Sequence, residues 1–235
     1  MTDSQHARSH RPIRVAQFGV GPIGAASLQA ASATPWAEVI GAIDKHPAKV
    51  GKGLDELIDA PSLEGRRVFE SFDALMSAAD GCDLVLHTAG SRAAVTLEQM
   101  RPMVSAGVNV ASTCEELLYP YLRAEAAARS FDELCRESGA CVVGTGVNPG
   151  FAMDLLPVLL TTVSLRVDKI IATRVVDATT RRGPLQRKIG SGMTPDEFRD
   201  RFNRGEAGHA GFRESAALIG HAMGWPIDDI EETLD

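Results

Sequence analysis

Apolar positions in the first 150 residues fall into short alternating or continuous runs, separated by stretches with helical spacing. Ile13–Phe18 alternates and is rich in β-formers, which predicts a strand. The Gly-rich turn Gly19–Gly24 follows, and the Ala-rich run Ile23–Ala33 reads as a helix stopped by Pro35. Glu38–Ile43 is a second apolar strand ending at Asp44. After the Pro61–Gly65 loop come a short strand at Val68–Phe69, a helix at Phe72–Ala79 and a buried strand at Asp83–His87. A helix at Ala93–Ala106 is closed by Gly107, and Val108–Ala111 is a strand. Tyr121–Glu137 is a long helix that stops near Gly139, and the strand Cys141–Val143 runs into Gly144. Strands alternating with helices predict a doubly wound parallel sheet of the Rossmann type over residues 13–150.

The remainder is patterned differently. Phe151–Leu160, Thr194–Asn203 and Phe212–Met223 read as helices, and Leu165–Ala178 reads as one long strand. A lone strand cannot satisfy its own backbone N–H and C=O groups. Short unrecognised strands, a partner chain or a missing C-terminal segment must supply them. The expected organisation is a flexible tail over 1–12, an α/β domain over 13–150 and a smaller, truncated α+β domain over 151–235.

Composition narrows the class. The chain has 24 basic and 31 acidic side chains, a net charge of −7, which argues against nucleic acid as a partner. No stretch approaches the roughly 18 apolar residues of a spanning helix. Met1–Arg11 is polar and lacks the apolar core of a secretory signal. Cys82, Cys114, Cys135 and Cys141 show no CxxC spacing, so they read as reduced thiols, and no metal-ligand cluster stands out. A cytoplasmic protein without membrane or nucleic-acid partners is expected.

The strongest chemical signal is Gly19-Val20-Gly21-Pro22-Ile23-Gly24, because it follows a strand, opens a helix, and has Asp44 lying 20 residues after Gly24. Gly19 permits the turn, Gly21 lets backbone approach a pyrophosphate, and Gly24 lets helix and strand pack closely. The helix N-terminus, with Pro22 and Ile23, offers N–H groups to phosphate. The competing reading is a Gly-rich turn with no ligand. Asp44 suits a ribose 2′-OH and so favours NAD, whereas Lys45, His46 and Lys49 suit the 2′-phosphate of NADP or form a solvated loop.

Three further blocks sit at strand ends, where such sheets bind ligands. His87-Thr88-Ala89-Gly90-Ser91 supplies small residues beside the cofactor, and His87 is either a cofactor contact or a structural histidine. In Ser112-Thr113-Cys114-Glu115-Glu116, one of Glu115 and Glu116 serves as a carboxylate for an ammonium group or as a general base. Ser112 with Glu115, or Thr113 with Glu116, also fits a capping box. In Gly144-Thr145-Gly146-Val147-Asn148-Pro149-Gly150, Thr145 and Asn148 are candidates for substrate contact, and Asn148 also for the cofactor. The cationic stretch Arg181–Lys188 and the isolated His209 are weaker signals, the first for an anion or a solvated loop, the second for substrate.

With these residues in view, the chain resembles the dihydrodipicolinate-reductase-like superfamily, and more narrowly the 2,4-diaminopentanoate dehydrogenases and related native amine dehydrogenases. The resemblance rests on Gly19–Gly24, the Ser112–Leu117 block and Gly144–Phe151, and continues through Arg174–Ala178, Leu185–Gly190, His209–Ser215 and Gly224-Trp225. It implies NAD(P)-dependent oxidative deamination of a small amine, a substrate and dimerisation domain after the Rossmann domain, and a homodimer. It places the family's acidic residue at Glu115 or Glu116. Two departures qualify it. Dihydrodipicolinate reductases carry a His-His pair and a lysine where this chain reads Val175-Val176-Asp177-Ala178, so that reduction is not expected. Family members are also longer and return to the Rossmann sheet. Another dehydrogenase of the same fold, or a non-catalytic dinucleotide-binding fragment, is the competing expectation.

Overall fold

The computed structural model describes residues 11–233 except 182 and 209, so most of the expected tail and the candidate His209 lie outside the described residues. The contacts divide the chain into two units. Met1–Gly90, Ala94–Thr113 and Ala127–Val143 form the first; Ser91–Ala93, Cys114–Ala126 and Gly144–Asp235 form the second.

The first unit is built on the strands β1 (Ile13–Phe18), β2 (Ala37–Ile43), β3 (Val68–Phe69), β4 (Leu84–His87), β5 (Asn109–Ser112) and β6 (Val142–Gly144) in the order β3-β2-β1-β4-β5-β6. This is the Rossmann order, as expected. The helices α1 (Pro22–Ser32), α2 (Leu54–Leu57), α3 (Phe72–Ala78), α4 (Ala93–Ser105) and α5 (Tyr121–Ser138) connect the strands. Val15, Ala16, Ile43 and Val85 from the sheet are buried, as are Leu28 of α1, Leu75 of α3 and Met100 and Met103 of α4. Burial on both faces explains why these strands read as near-continuous apolar runs.

The register sets up the site. Phe18 pairs with Ile43 on one side and His87 on the other, and His87 pairs with Ser112. Four parallel strands therefore end level. The Gly19–Gly24 turn, Asp44 and Thr88-Ala89 emerge along one edge, on both sides of the β1/β4 switch point.

In the second unit the regular elements are helical: a 3-10 turn Glu115–Leu118, then α6 (Leu155–Thr161), α7 (Gly183–Lys188), α8 (Pro195–Asn203) and α9 (Phe212–Met223). The expected helix at Phe151–Leu160 starts later, at Leu155, because the Asp154 carboxylate accepts the Leu155 N–H and caps it there. The expected strand Leu165–Ala178 is not formed. That segment has no regular structure, and Leu165, Ile171 and Val175 are exposed. Its β-rich composition is only a propensity, and no strand among the described residues of this unit offers it a ladder. The expected α+β character of this part is thereby corrected to helix and extended chain. No helix among the described residues is long and apolar enough to cross a membrane.

Candidate functional site

The fingerprint turn of the first unit is shaped by backbone proximity. A Cβ on Gly24 would lie 1.8 Å from the Gly19 carbonyl oxygen, and one on Gly19, at φ +90°, would meet Ala89 Cβ at 3.0 Å. Gly21 is different: a Cβ there would meet nothing within 4 Å, so its missing side chain leaves open space rather than relieving a clash. Gly21 is also the N-cap of α1; no side chain caps that end and no acidic residue occupies its first turn. The free N–H groups there suit an anion, so the turn fits a dinucleotide pyrophosphate.

Below the turn lies Gln17, a polar residue with no accessible surface that sequence reasoning missed. Its Nε2 donates to the Gly19 carbonyl at 3.1 Å and to Thr88 Oγ1 at 2.9 Å, and Thr88 Oγ1 donates to the same carbonyl at 3.1 Å. Gln17, on β1 itself, and Thr88, just past the neighbouring β4, thus brace the loop. Asp44 closes the other side: its carboxylate accepts the Val20 N–H at 2.9 Å, the His46 N–H at 2.8 Å and the Lys49 ammonium at 3.0 Å. Partial burial pushes that carboxyl up, but the His46 and Val20 amides and Lys49 outweigh it and hold it below the usual range.

His87 has no accessible surface. Its Nδ1 lies 3.0 Å from Ser112 Oγ and its Nε2 3.1 Å from Gln99 Oε1, while the ring stacks on Phe18. Its side chain is therefore buried and held between Ser112, Gln99 and Phe18. Burial lowers its pKa below the ordinary 6.5, against the Gln99 hydrogen bond, which raises it. The folded ring stays neutral where the unfolded chain takes up a proton. The stability it contributes is complete above about pH 6.5 and is lost as pH falls through the folded value. Urea unfolding from pH 7 to pH 5 should show falling stability, and His87→Gln should flatten that fall.

In the second unit, the Glu115–Leu118 turn and the Gly144–Gly150 loop come together. A Cβ on Gly144 would lie 2.4 Å from the Leu117 carbonyl oxygen, and one on Gly211, ahead of α9, would press on Pro149. The loop includes a cis Asn148–Pro149 bond. Thr145 is exposed and Asn148 half-buried on it. Asp154 anchors the loop to the helices: it accepts the Gly150 N–H at 2.8 Å and the Ser215 hydroxyl at 2.7 Å. Sequence reasoning missed Asp154, although an Asp ahead of an apolar run is a capping signal.

The two glutamates have separate roles, and neither expected capping box forms. Glu116 Oε2 accepts the Ala93 N–H at 2.8 Å, at the start of α4, and its own N–H donates to the Ser91 carbonyl at 3.4 Å. Its Oε1 lies 3.9 Å from Arg123 Nε. That Nε donates to Glu214 Oε1, and Glu214 is fully buried. Glu115, half-buried on the same turn, has no side-chain hydrogen bond or ion pair among the described residues. Arg123 and Glu214, 91 residues apart, carry no local sequence signal.

Residues 151–235 match the family model of the 2,4-diaminopentanoate dehydrogenase C-terminal domain. The chain is 28% identical over 216 residues to the 2,4-diaminopentanoate dehydrogenase of Acetoanaerobium sticklandii, covering 92% of this chain and 61% of that one. It is 25% identical over 224 residues to the amine dehydrogenase of Streptomyces virginiae, covering 93% and 61%. The solved structure of an amine dehydrogenase from Mycobacterium smegmatis has the same fold, with a TM-score of 0.73 at 24% identity over 94% of this chain and 64% of that one. The chain thus spans about 61% of the length of the curated relatives it matches. The resemblance read from the motif blocks is borne out: in sequence and fold this chain is similar to 2,4-diaminopentanoate dehydrogenases and amine dehydrogenases.

Proposed function

We propose that this chain carries the dinucleotide-binding and amine-recognition parts of an NAD(P)-dependent amine dehydrogenase, which deaminates a small amine oxidatively and aminates the carbonyl product in reverse. The observation that carries the reading is the contrast between adjacent glutamates: Glu116 is engaged at the start of α4, and the Glu115 side chain has no partner among the described residues. A free carboxylate beside a Gly-rich loop is suited to hold an ammonium ion and accept a proton from it.

Gly19, Gly21, Pro22, Ile23 and Gly24 hold the pyrophosphate, with Thr88 and Ala89 lining the crevice beside them. Asp44 faces the adenosine ribose and favours NAD. The bound dinucleotide supplies the hydride acceptor. Glu115 takes a proton from the substrate ammonium, which frees the nitrogen lone pair to assist hydride departure from the adjacent carbon. Water then hydrolyses the imine. Thr145 and Asn148, on the loop packed against the Glu115–Leu118 turn, contact the substrate. His209 keeps the same role as an expectation outside the described residues. A homodimer belongs to the proposal, supported by the exposed apolar side chains Leu159, Leu160 and Ile171. Among the described residues Cys82, Cys114, Cys135 and Cys141 form no disulfide, which suits the cytoplasm.

Absorbance at 340 nm tests the reading, with NAD and NADP supplied separately and a panel of 2,4-diaminopentanoate, short-chain amines and hydroxy acids. Reduction of the dinucleotide by an amine is expected. Turnover of hydroxy acids alone would remove the amine assignment, and a folded protein that binds neither dinucleotide would remove the cofactor.

A further inference from the structure

Helix α9 touches both of the segments proposed to meet the amine. Its N-cap, Gly211, at φ +102°, packs so closely on Pro149 of the Gly144–Gly150 loop that a Cβ there would overlap the proline ring. In the first turn of α9 two adjacent side chains then run to different places. Glu214, with no accessible surface, accepts the Arg123 Nε–H, and that nitrogen lies 3.9 Å from Glu116 Oε1, on the Glu115–Leu118 turn. Ser215, also buried, donates its hydroxyl to Asp154 Oδ2 at 2.7 Å, and the same oxygen accepts the Gly150 N–H at 2.8 Å. One side chain reaches the turn that carries Glu115. Its neighbour reaches the loop that carries Thr145 and Asn148.

Neither side chain is spent on the helix itself. The Ser215 N–H donates to the Gly211 carbonyl, and no side chain caps that end. The rest of α9 follows the same division. The His221 ring lies 5.6 Å from the ring of Tyr119, just past the Glu115–Leu118 turn, and the Thr161 hydroxyl of α6 lies 3.5 Å from Met223 Sδ. Buried polar ties hold a geometry firmly, because breaking one leaves a desolvated group without its partner. The spacing between the Glu115 carboxylate and the Thr145–Asn148 stretch is therefore held by the first turn of α9, as well as by the close approach of Gly144 to Leu117.

Resting on the amine-dehydrogenase reading of these segments, we infer that Glu214 and Ser215 are positioning residues for the reaction. Glu214, through Arg123, holds the turn that presents the base, and Ser215, through Asp154, holds the loop that contacts the amine. The two act on different constants. Displacing a reacting group by about 1 Å costs on the order of 10²-fold in rate, so loss of the Glu214 tie falls on kcat. A loosened loop weakens binding of substrate and transition state alike, so loss of the Ser215 tie falls on KM.

Steady-state kinetics at 340 nm on the whole chain test this, with the amine that wild type turns over best and with saturating dinucleotide. Expressing kcat per dinucleotide-binding site, counted by calorimetry, removes any loss caused by unfolded protein. Glu214→Gln keeps the side chain's length but removes the charge that holds the guanidinium, and should lower kcat about tenfold with KM within about threefold of wild type. Ser215→Ala should raise the KM for the amine about tenfold with kcat within about threefold, and Ser215→Thr, which keeps the hydroxyl, should restore KM. Dinucleotide affinity should hold in all three, because the Gly19–Gly24 turn contains neither residue. Either variant within about threefold of wild type in both constants removes that residue from the inference. Both variants changing kcat and KM in the same proportion, or Ser215→Thr matching Ser215→Ala, overturns it while the amine reading stands. Folded wild type that turns over no amine removes both.

Discussion

Arg123→Met should lower the unfolding free energy by about 3 kcal/mol at neutral pH. The reason is the partner left behind. Glu214 has a side-chain exposure of 1%, and its Oε1 accepts the Arg123 Nε–H while its Oε2 is buried with no hydrogen-bond partner among the described residues. Removing the guanidinium strands a carboxylate in the interior. Breaking a buried pair from one side costs about 3–5 kcal/mol. Two features hold the figure at the low end. Arg123 is 44% exposed, so water already screens part of the attraction. Glu214 also sits in the first turn of α9, where the helix dipole favours a negative charge by about 0.3–1 kcal/mol. Urea unfolding measures the loss. The double variant Arg123→Met, Glu214→Gln should recover more than half of it, because the stranded charge is gone. A loss below about 1 kcal/mol in the single variant would mean that the contact behaves as an ordinary surface ion pair.

The Arg123–Glu214 contact also shows where local reading stops. The Rossmann half was legible because its strands are buried on both faces and bounded by glycines that close backbone approach requires. Val68–Phe69 is the strand the sequence predicts, and the fingerprint turn meets its reason in the clash a Cβ on Gly24 would suffer. Helices with clear end signals were equally legible: α8, capped by the Thr194–Glu197 box, follows the predicted Thr194–Asn203, and α9, closed by Gly224, spans the predicted Phe212–Met223. What failed depended on distant partners. Glu116 invited a capping box with Thr113, three residues before it, yet it caps α4, with Ala93 lying 23 residues away. Leu165–Ala178 has strand composition without a neighbouring ladder, and composition alone does not form a strand. Gln17 alternates within β1 as a polar residue that faces water in a half-exposed sheet; here it is buried and braces the turn. His87 left two readings open, and only the placement of Ser112 and Gln99 against its ring favours the structural one.

The two glutamates give the prediction with the largest expected effect. Glu115→Gln should cut turnover of the best amine by about 10²–10⁴, the range for loss of a positioned general base. Dinucleotide affinity should not change, because the Gly19–Gly24 turn that would hold it contains neither glutamate. Gln keeps the size and hydrogen-bonding oxygen of Glu115 but cannot accept the substrate proton, so the loss should fall on kcat rather than on KM alone. Glu116→Gln should behave oppositely. Its amide oxygen can still accept the Ala93 N–H, so turnover should fall less than about tenfold. Glu116→Ala removes the cap from α4 and should cost about 1 kcal/mol of stability. Steady-state kinetics at 340 nm on both Gln variants, with urea unfolding of the Ala variant, separate a proton acceptor from a clasp. If Glu116→Gln abolishes turnover while Glu115→Gln spares it, the base is Glu116 and its contact with Ala93 must open during the reaction. If neither variant loses about tenfold, neither carboxylate takes the proton, and the amine chemistry assigned to this turn fails.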